Sequence, residues 1–176
     1  MDKNERLTSR LLPEMDEFKH TQQTLLVASI NADNQPNVSY APYALADGGF
    51  YILISDIAKH GQNLKHHRAI SVMMIEDEQK AKSIYARKRL TFDVEATLIE
   101  RDHPDFIVGT DALVARFGEI AENLRSLSDF NLYQLRPHKG LFVKGFGKAF
   151  EITGEDLTSI HWLQGNAHKK IADAAE

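Results

Sequence analysis

The chain has 176 residues, of which 43% are hydrophobic and 26% charged, with a net charge of −4 and no cysteine. That length and apolar content suit one domain, residues 1–176, with a sizeable core. The acidic balance argues against a nucleic-acid binder, which would usually show a concentrated basic face, and the lack of cysteine excludes disulfides, thiolate nucleophiles and iron–sulfur clusters. Any metal must therefore be held by His, carboxylate or Met, or arrive inside a cofactor. "MDKNERLTSRLLPEMDEF" has no apolar signal region and no apolar run reaches transmembrane length, so a cytoplasmic protein with no membrane partner is expected.

In chain order, Asn4–Gln23 spaces Leu7, Leu11, Met15 and Phe18 as a helix, which Pro13 is expected to kink or divide. Thr24–Asn31 and Asn37–Ala46 read as paired strands around the turn formers Ala32–Pro36, and Asp47–Gly49 turns the chain into a buried strand, Phe50–Ser55. These three strands are expected to form a meander. Ser55–His67 is predicted helical, with Ser55 as N-cap and Ile57, Ala58, Gly61 and Leu64 on one face. Ala69–Glu78 and Arg89–Asp102 are strands, the second alternating Leu90, Phe92, Val94, Ala96 and Leu98 inward. His103–Leu127 is helical with Pro104 in its first turn. Phe130–Ile152 gives two strands around a Pro/Gly-rich turn, and Thr153–Leu163 starts a short helix. The pattern predicts a mainly β (α+β) fold, an antiparallel barrel with flanking helices. A barrel of this size fills its interior with side chains, so a large ligand must sit outside it, against a partner subunit.

Several residues could carry chemistry. "YARKRLTF" (Tyr85–Phe92) brings Arg87, Lys88 and Arg89 into a strand, either as a solvated strand start or as an anion site. "KGFGKAF" (Lys144–Phe150) lacks the strand–loop–helix context of a phosphate loop, and a bulge or close backbone approach is expected instead. His60 falls on the polar side of its helix, as a solvated or capping residue. His103 starts a helix, and His161 packs beside Trp162. In "QGNAHKK" (Gln164–Lys170), His168 follows a Gly-Asn bend and precedes Lys169 and Lys170, an arrangement that presents an imidazole beside positive charge.

Taken together, "TLLVASINADNQPNVSYAPY", "FYILIS", "SDIAKHGQNLKHHRAISVMMIEDE", "ARKRLTF", "RFGEI" and "GLFVKGFGKAFEITGEDL" resemble the pyridoxamine-phosphate-oxidase-like split barrels, and among them the HutZ/HugZ-type haem-utilisation branch. The resemblance runs from about Glu5 to Lys170. It implies a homodimeric antiparallel split β-barrel with haem b, both cofactor and substrate, at the subunit interface. It also implies a haem oxygenase-like enzyme that opens the porphyrin to a biliverdin-like product and releases iron. Residue by residue, His168 matches the haem-iron ligand, on a C-terminal arm over 164–176. Asp129, in "SDFNLYQLRP", matches an aspartate that hydrogen-bonds this ligand from the other subunit. Arg89 matches a distal-side arginine, and His60 a histidine of the "IA-x-H" helix.

Lys169, with Lys170, would meet the haem carboxylates. The segment between glycine and lysines is longer here than in the family, which keeps His161 as an alternative ligand. With no dinucleotide fingerprint, an external electron donor is expected, along with a haem-delivery protein. The alternatives are an FMN-dependent oxidoreductase on the same barrel, or a haem carrier without turnover.

Overall fold

The computed structural model describes residues 3–154 and 156–163. Helix α1 (Lys3–Thr21) leads into β1 (Thr24–Ile30), β2 (Pro36–Pro42), β3 (Ala44–Ala46) and β4 (Gly49–Ser55). Then come α2 (Lys59–His66), β5 (Ala69–Ile75), β6 (Arg89–Ile99), α3 (Pro104–Phe117), α4 (Glu119–Arg125), β7 (Phe130–Val143), β8 (Ala149–Thr153) and β9 (Ser159–Trp162). All the strand pairs are antiparallel, in the order β2-β1-β5-β6-β7-β4-β3, with β8 and β9 extending from β7. Among the described residues, no helix is long and apolar enough to cross a membrane.

The barrel closes through one stretch of chain. Strands β2 and β3 lie at opposite ends of the hydrogen-bonded path, yet only Tyr43 separates them in sequence. The Tyr43 N–H still bonds Gln23 O on the β1 side, at 3.3 Å, while Ala44 already pairs with Tyr51 of β4. The expected strand Asn37–Ala46 is thus two strands that change partners at Tyr43. The expected meander is replaced by two hairpins, β1–β2 and β3–β4, that dock on different neighbours, β5 and β7. The predicted Ala32–Pro36 turn is present. Asn31 Oδ1 accepts the N–H groups of Asp33 and Gln35 at 3.0 and 2.8 Å, and Asn34 takes a positive φ of 60°.

The interior follows from alternation. Leu90, Phe92, Val94 and Ala96 of β6 point inward with Leu25, Val27, Phe50, Ile52, Leu135, Phe142 and Ile152. Helix α1 plugs one end with Leu11, Met15 and Phe18, each contributing roughly 1.5–3 kcal/mol by burial. It continues through Pro13, which does not divide it. Strand β4 is covered on its outer face too. Tyr51 joins Leu132 and Ile99 beneath Phe106, Leu113 and Ala121 of α3 and α4. These two helices were expected as one. Gly118, at φ 69°, separates them.

Strand β7 also departs from expectation, because it runs through Pro137. Val94 pairs with Pro137 and Asp93 with Lys139, so His138 is the extra residue of a bulge at the proline that cannot donate. "KGFGK" is the β7–β8 hairpin turn, with Lys144 N–H bonding Lys148 O at 2.9 Å, rather than a bulge within a strand. The short helix expected from Thr153 is β9. Ile160 turns into the core, Trp162 Nε1–H bonds Gly147 O at 3.0 Å, and pairing to β8 satisfies backbone groups that the sequence pattern left ambiguous.

Helix α3 reaches β4 this closely only because of Gly109. A Cβ there would lie 2.3 Å from the Tyr51 ring. Gly109→Ala is therefore expected to destabilise the protein by about 1–3 kcal/mol through overpacking, read as a lower urea midpoint. An unchanged midpoint would show that α3 can retreat without cost.

Candidate functional site

Site geometry begins where β4 ends. Ser55 is the last residue of the strand and pairs with Phe130 at the start of β7. The chain then turns: Ala58 N–H bonds Ser55 O at 3.2 Å, and α2 begins at Lys59. Ser55 is therefore not the helix N-cap that its sequence position suggested. Its hydroxyl accepts the Ile57 N–H at 3.2 Å and donates to Asp129 Oδ2 at 2.9 Å. The Asp56 N–H donates to Asp129 O at 2.8 Å, so main chain and side chain both tie Asp129 to this turn. The Asp56 carboxylate accepts from Asn131 Nδ2 at 2.8 Å and pairs with Lys65 Nζ at 2.6 Å. The Lys65 hydrogen bond holds its carboxyl below the usual range against a smaller opposing effect of burial. Asp129 Oδ1 receives no hydrogen bond among the described residues.

His60 follows in α2. It is not on a solvated face: it lines a cleft of about 380 Å³ with Tyr40, Pro42, Leu53, Phe117, Ile120 and Phe130. Burial pushes its imidazole below the ordinary value, which favours the neutral ring. Ser55 and Phe130 line the same cleft, so Asp129, bonded to Ser55 and next in sequence to Phe130, stands beside two of its lining residues. The mouth is apolar, with Tyr40 64% and Ile120 60% exposed, and Ile57, expected to face inward, lies outside at 80%. Gly61 lets α2 seat on the turn, since a Cβ there would meet Ser55 O at 2.2 Å.

The basic cluster resolves into different roles. Arg87 donates to Glu76 O and pairs with Glu78 at 3.3 Å, and Lys88 pairs with Glu14 at 3.2 Å. Both serve the fold. Arg89 opens β6, and its side chain reaches only Arg87 O, at 3.4 Å, with no carboxylate partner among the described residues. It is also far from Asp129. Arg89 pairs with Val143 and Ile99 with Leu132, ten residues along β6, which is roughly 33 Å of strand. A single protomer does not bring Arg89 together with Asp129 and His60.

His161 sits exposed on β9 opposite Glu151, on a strand rather than a helix. His168 and Lys169 lie outside the described residues. Among the described residues no three His, Asp or Glu side chains converge as a metal site. The sequence reading missed Ser55 as the support of the Asp129 carboxylate, and Asn131 and Lys65 as partners of the neighbouring Asp56. The signal of Ser55 and Asn131 was only that of polar residues at one end of the β4–β7 ladder, which many strand ends share.

An antiparallel split barrel with its polar cluster at one strand end and an apolar cleft outside the core defines the class. The chain belongs to the pyridoxamine 5′-phosphate oxidase family, whose model matches residues 11–144. Heme oxygenase HutZ of Vibrio cholerae is 46% identical to it over 172 residues, 97% of each chain. The crystal structure of Vibrio cholerae HutZ, described as a heme storage protein, superposes with a TM-score of 0.72 at 48% identity, over 77% of this chain and 95% of that one. Campylobacter jejuni ChuZ superposes with a TM-score of 0.84 at 34% identity, over 93% of this chain and 67% of that one.

The half-buried imidazole has a consequence for stability. His60 is depressed below 6.5 when folded, so the unfolded chain takes up its proton first. The contribution of the neutral ring is complete above about pH 6.5 and is lost as pH falls through the depressed folded value. Urea midpoints measured at pH 7.5 and 5.5 should differ less in His60→Gln than in wild type. An equal difference would mean that His60 titrates as a solvated residue.

Proposed function

We propose that this protein binds haem b between two protomers and degrades it as a haem oxygenase-like enzyme, using O2 and electrons from an external donor. The observation that carries this reading is the likeness to a heme oxygenase over 97% of both chains. It extends beyond the family domain, which ends at residue 144, and leaves too few residues uncovered to exclude the segment with His168. A cytoplasmic location and a separate haem-delivery protein belong to the same reading.

The side chains fit such a ligand. Haem is a flat apolar plate with two carboxylates, and it needs an apolar slot, a neutral imidazole and cations at its edge. The cleft beside Asp129 offers apolar walls outside the packed barrel, and its exposed apolar mouth suits burial against a second copy. In this proposal His168, in the 164–176 segment, would hold the haem iron through its imidazole, and Lys169 and Lys170 would meet the propionates. Asp129 of the other subunit accepts the ligand's Nδ1–H, which fixes its tautomer and raises its basicity. Arg89, with no carboxylate partner among the described residues, would donate hydrogen bonds on the distal side of the haem. His60, neutral, lines the apolar wall next to Asp129. Bound haem supplies both the iron that activates oxygen and the ring that is opened. The distance between Arg89 and Asp129 along the barrel supports sharing: one haem can meet both only if two chains contribute.

Full-length protein loaded with haem and given ascorbate should lose its Soret band as bilin absorption and free iron appear. A persistent Soret band would favour a carrier, and a flavin spectrum in the purified protein would favour the FMN-dependent alternative. His168→Ala should abolish ring opening and weaken haem binding with the fold intact, whereas His161→Ala should do neither. Loss of the Soret band in His161→Ala instead would move the ligand to β9. Arg89→Ala should retain ferric haem but turn over roughly a hundredfold more slowly, the usual consequence of losing one charge-assisted donor.

Sharing has its own test. A mixed dimer of one His168→Ala chain and one Asp129→Asn chain, isolated with two affinity tags, rebuilds one intact site if the groups come from different subunits. About half of wild-type activity should return, given independent sites. A mixed dimer no more active than either parent would remove the shared-site arrangement.

A further inference from the structure

We infer that Ser55 is a positioning residue for Asp129, holding one carboxylate oxygen so that the other remains available to the imidazole N–H of the haem ligand. The inference rests on the role proposed above for Asp129.

The geometry is directional. A seryl hydroxyl has a single proton. The Ile57 N–H occupies an acceptor position of the Ser55 oxygen at 3.2 Å, and the Ser55 proton goes to Asp129 Oδ2 at 2.9 Å. Oδ1 is left without a donor among the described residues. The Ser55 backbone has little freedom to swing. It is paired with Phe130 across the sheet, and α2 presses on its carbonyl through Gly61, where a Cβ would stand at 2.2 Å. The Asp129 backbone is fixed in turn by the Asp56 N–H at 2.8 Å. The side-chain torsion of Asp129 is thus the one remaining freedom, and the Ser55 hydroxyl restricts it.

The choice of a hydroxyl matters chemically. Nearby cations exist, but Lys65 is engaged with Asp56 at 2.6 Å, and no cation pairs with Asp129 among the described residues. A lysine or arginine on Asp129 would fix the carboxylate but cancel the charge that makes it a strong acceptor. A neutral O–H fixes it and leaves the charge in place. Ser55 therefore serves orientation at little cost to basicity, and the same residue seats the helix that carries His60.

The test uses the full-length haem-loaded protein and the iron–histidine stretching band of its ferrous form by resonance Raman. That band reports how strongly the ligand imidazole donates its N–H, and a merely structural role would not move it. Asp129→Ala sets the full shift to lower frequency. Ser55→Ala should move the band part of the way in the same direction and slow ring opening about tenfold, the effect of losing one hydrogen bond to a charged group. Ser55→Thr, which keeps the hydroxyl, should restore both. If Ser55→Ala does not fold, Ser55→Cys, a weaker donor of similar size, replaces it in the comparison. A shift with Asp129→Ala but none with Ser55→Ala overturns the inference and leaves the role of Asp129 standing. A shift to higher frequency with Ser55→Ala also overturns it, because the hydroxyl would then be damping the carboxylate. No shift in either variant removes the role of Asp129 and the inference with it.

Discussion

Tyr43 is the residue on which the rest of the structure depends. It is fully buried at the point where one run of chain leaves one edge of the sheet and joins the other. Its hydroxyl donates to Lys19 O at the end of α1 and lies 3.2 Å from Met74 Sδ inside the barrel. The Arg116 guanidinium stands 4.7 Å from its ring and donates to His20 O, at 3.0 Å, and to Gln22 O. Helix ends leave carbonyls unpaired, and here Tyr43 and Arg116 take up those following α1. Burial pushes the phenol up to about 12, with Arg116 partly opposing it, so the hydroxyl stays a donor at neutral pH. Barrel closure, the plug α1 and the outer helix α3 thus meet at one side chain.

Closure determines where chemistry is possible. The interior is filled by β-branched, aromatic and leucyl side chains, leaving polar groups to the strand ends and to the outer face under α3 and α4. At one end of the β6–β7 ladder, the β4–α2 turn gathers Ser55, Asp56, Asn131, Lys65 and Asp129 into one hydrogen-bonded group. At the other end stands Arg89. The β6–β7 ladder sets these at its opposite ends, which is why the proposed reading draws on a second chain to complete the site.

Tertiary partners likewise explain how three consecutive basic residues came to differ. Glu14 of α1 lies between Lys88 and Lys144. Burial raises its pKa, but the hydrogen bonds from the two lysines outweigh that and hold the carboxyl below the usual range. Lys88 thereby ties the plug to the barrel, with its ammonium also 5.8 Å from the Phe18 ring. Arg87 clamps the loop before β6 through Glu76 O and Glu78. Strand alternation and these commitments leave Arg89 as the member of the cluster with no acidic partner among the described residues, which the bare sequence "ARKR" does not distinguish.

Much of the fold was legible in order along the chain. Apolar spacing marked α1, the period-two pattern marked β6, the turn formers of Ala32–Pro36 marked the first hairpin, and "FYILIS" read as a buried strand. His103 was legible as a helix start, and its Nδ1 accepts the Asp105 N–H at 3.2 Å. Asp129, Arg89 and His60 were named from the sequence through the family resemblance, because motifs retain residue type and spacing. What local pattern could not supply was partnership. Whether Asn37–Ala46 is one strand or two depends on which neighbours close the barrel. Whether Thr153–Leu163 is helix or strand depends on a free edge at β8, and whether β7 survives Pro137 depends on a bulge opposite Asp93. Tertiary structure alone decided that Ser55 grips Asp129 across 74 residues of sequence and that His60 is half-buried against an apolar cleft. The physical reason is that propensity and periodicity act over a few residues, whereas register, burial and hydrogen-bond partners are set by segments that meet only when the sheet closes.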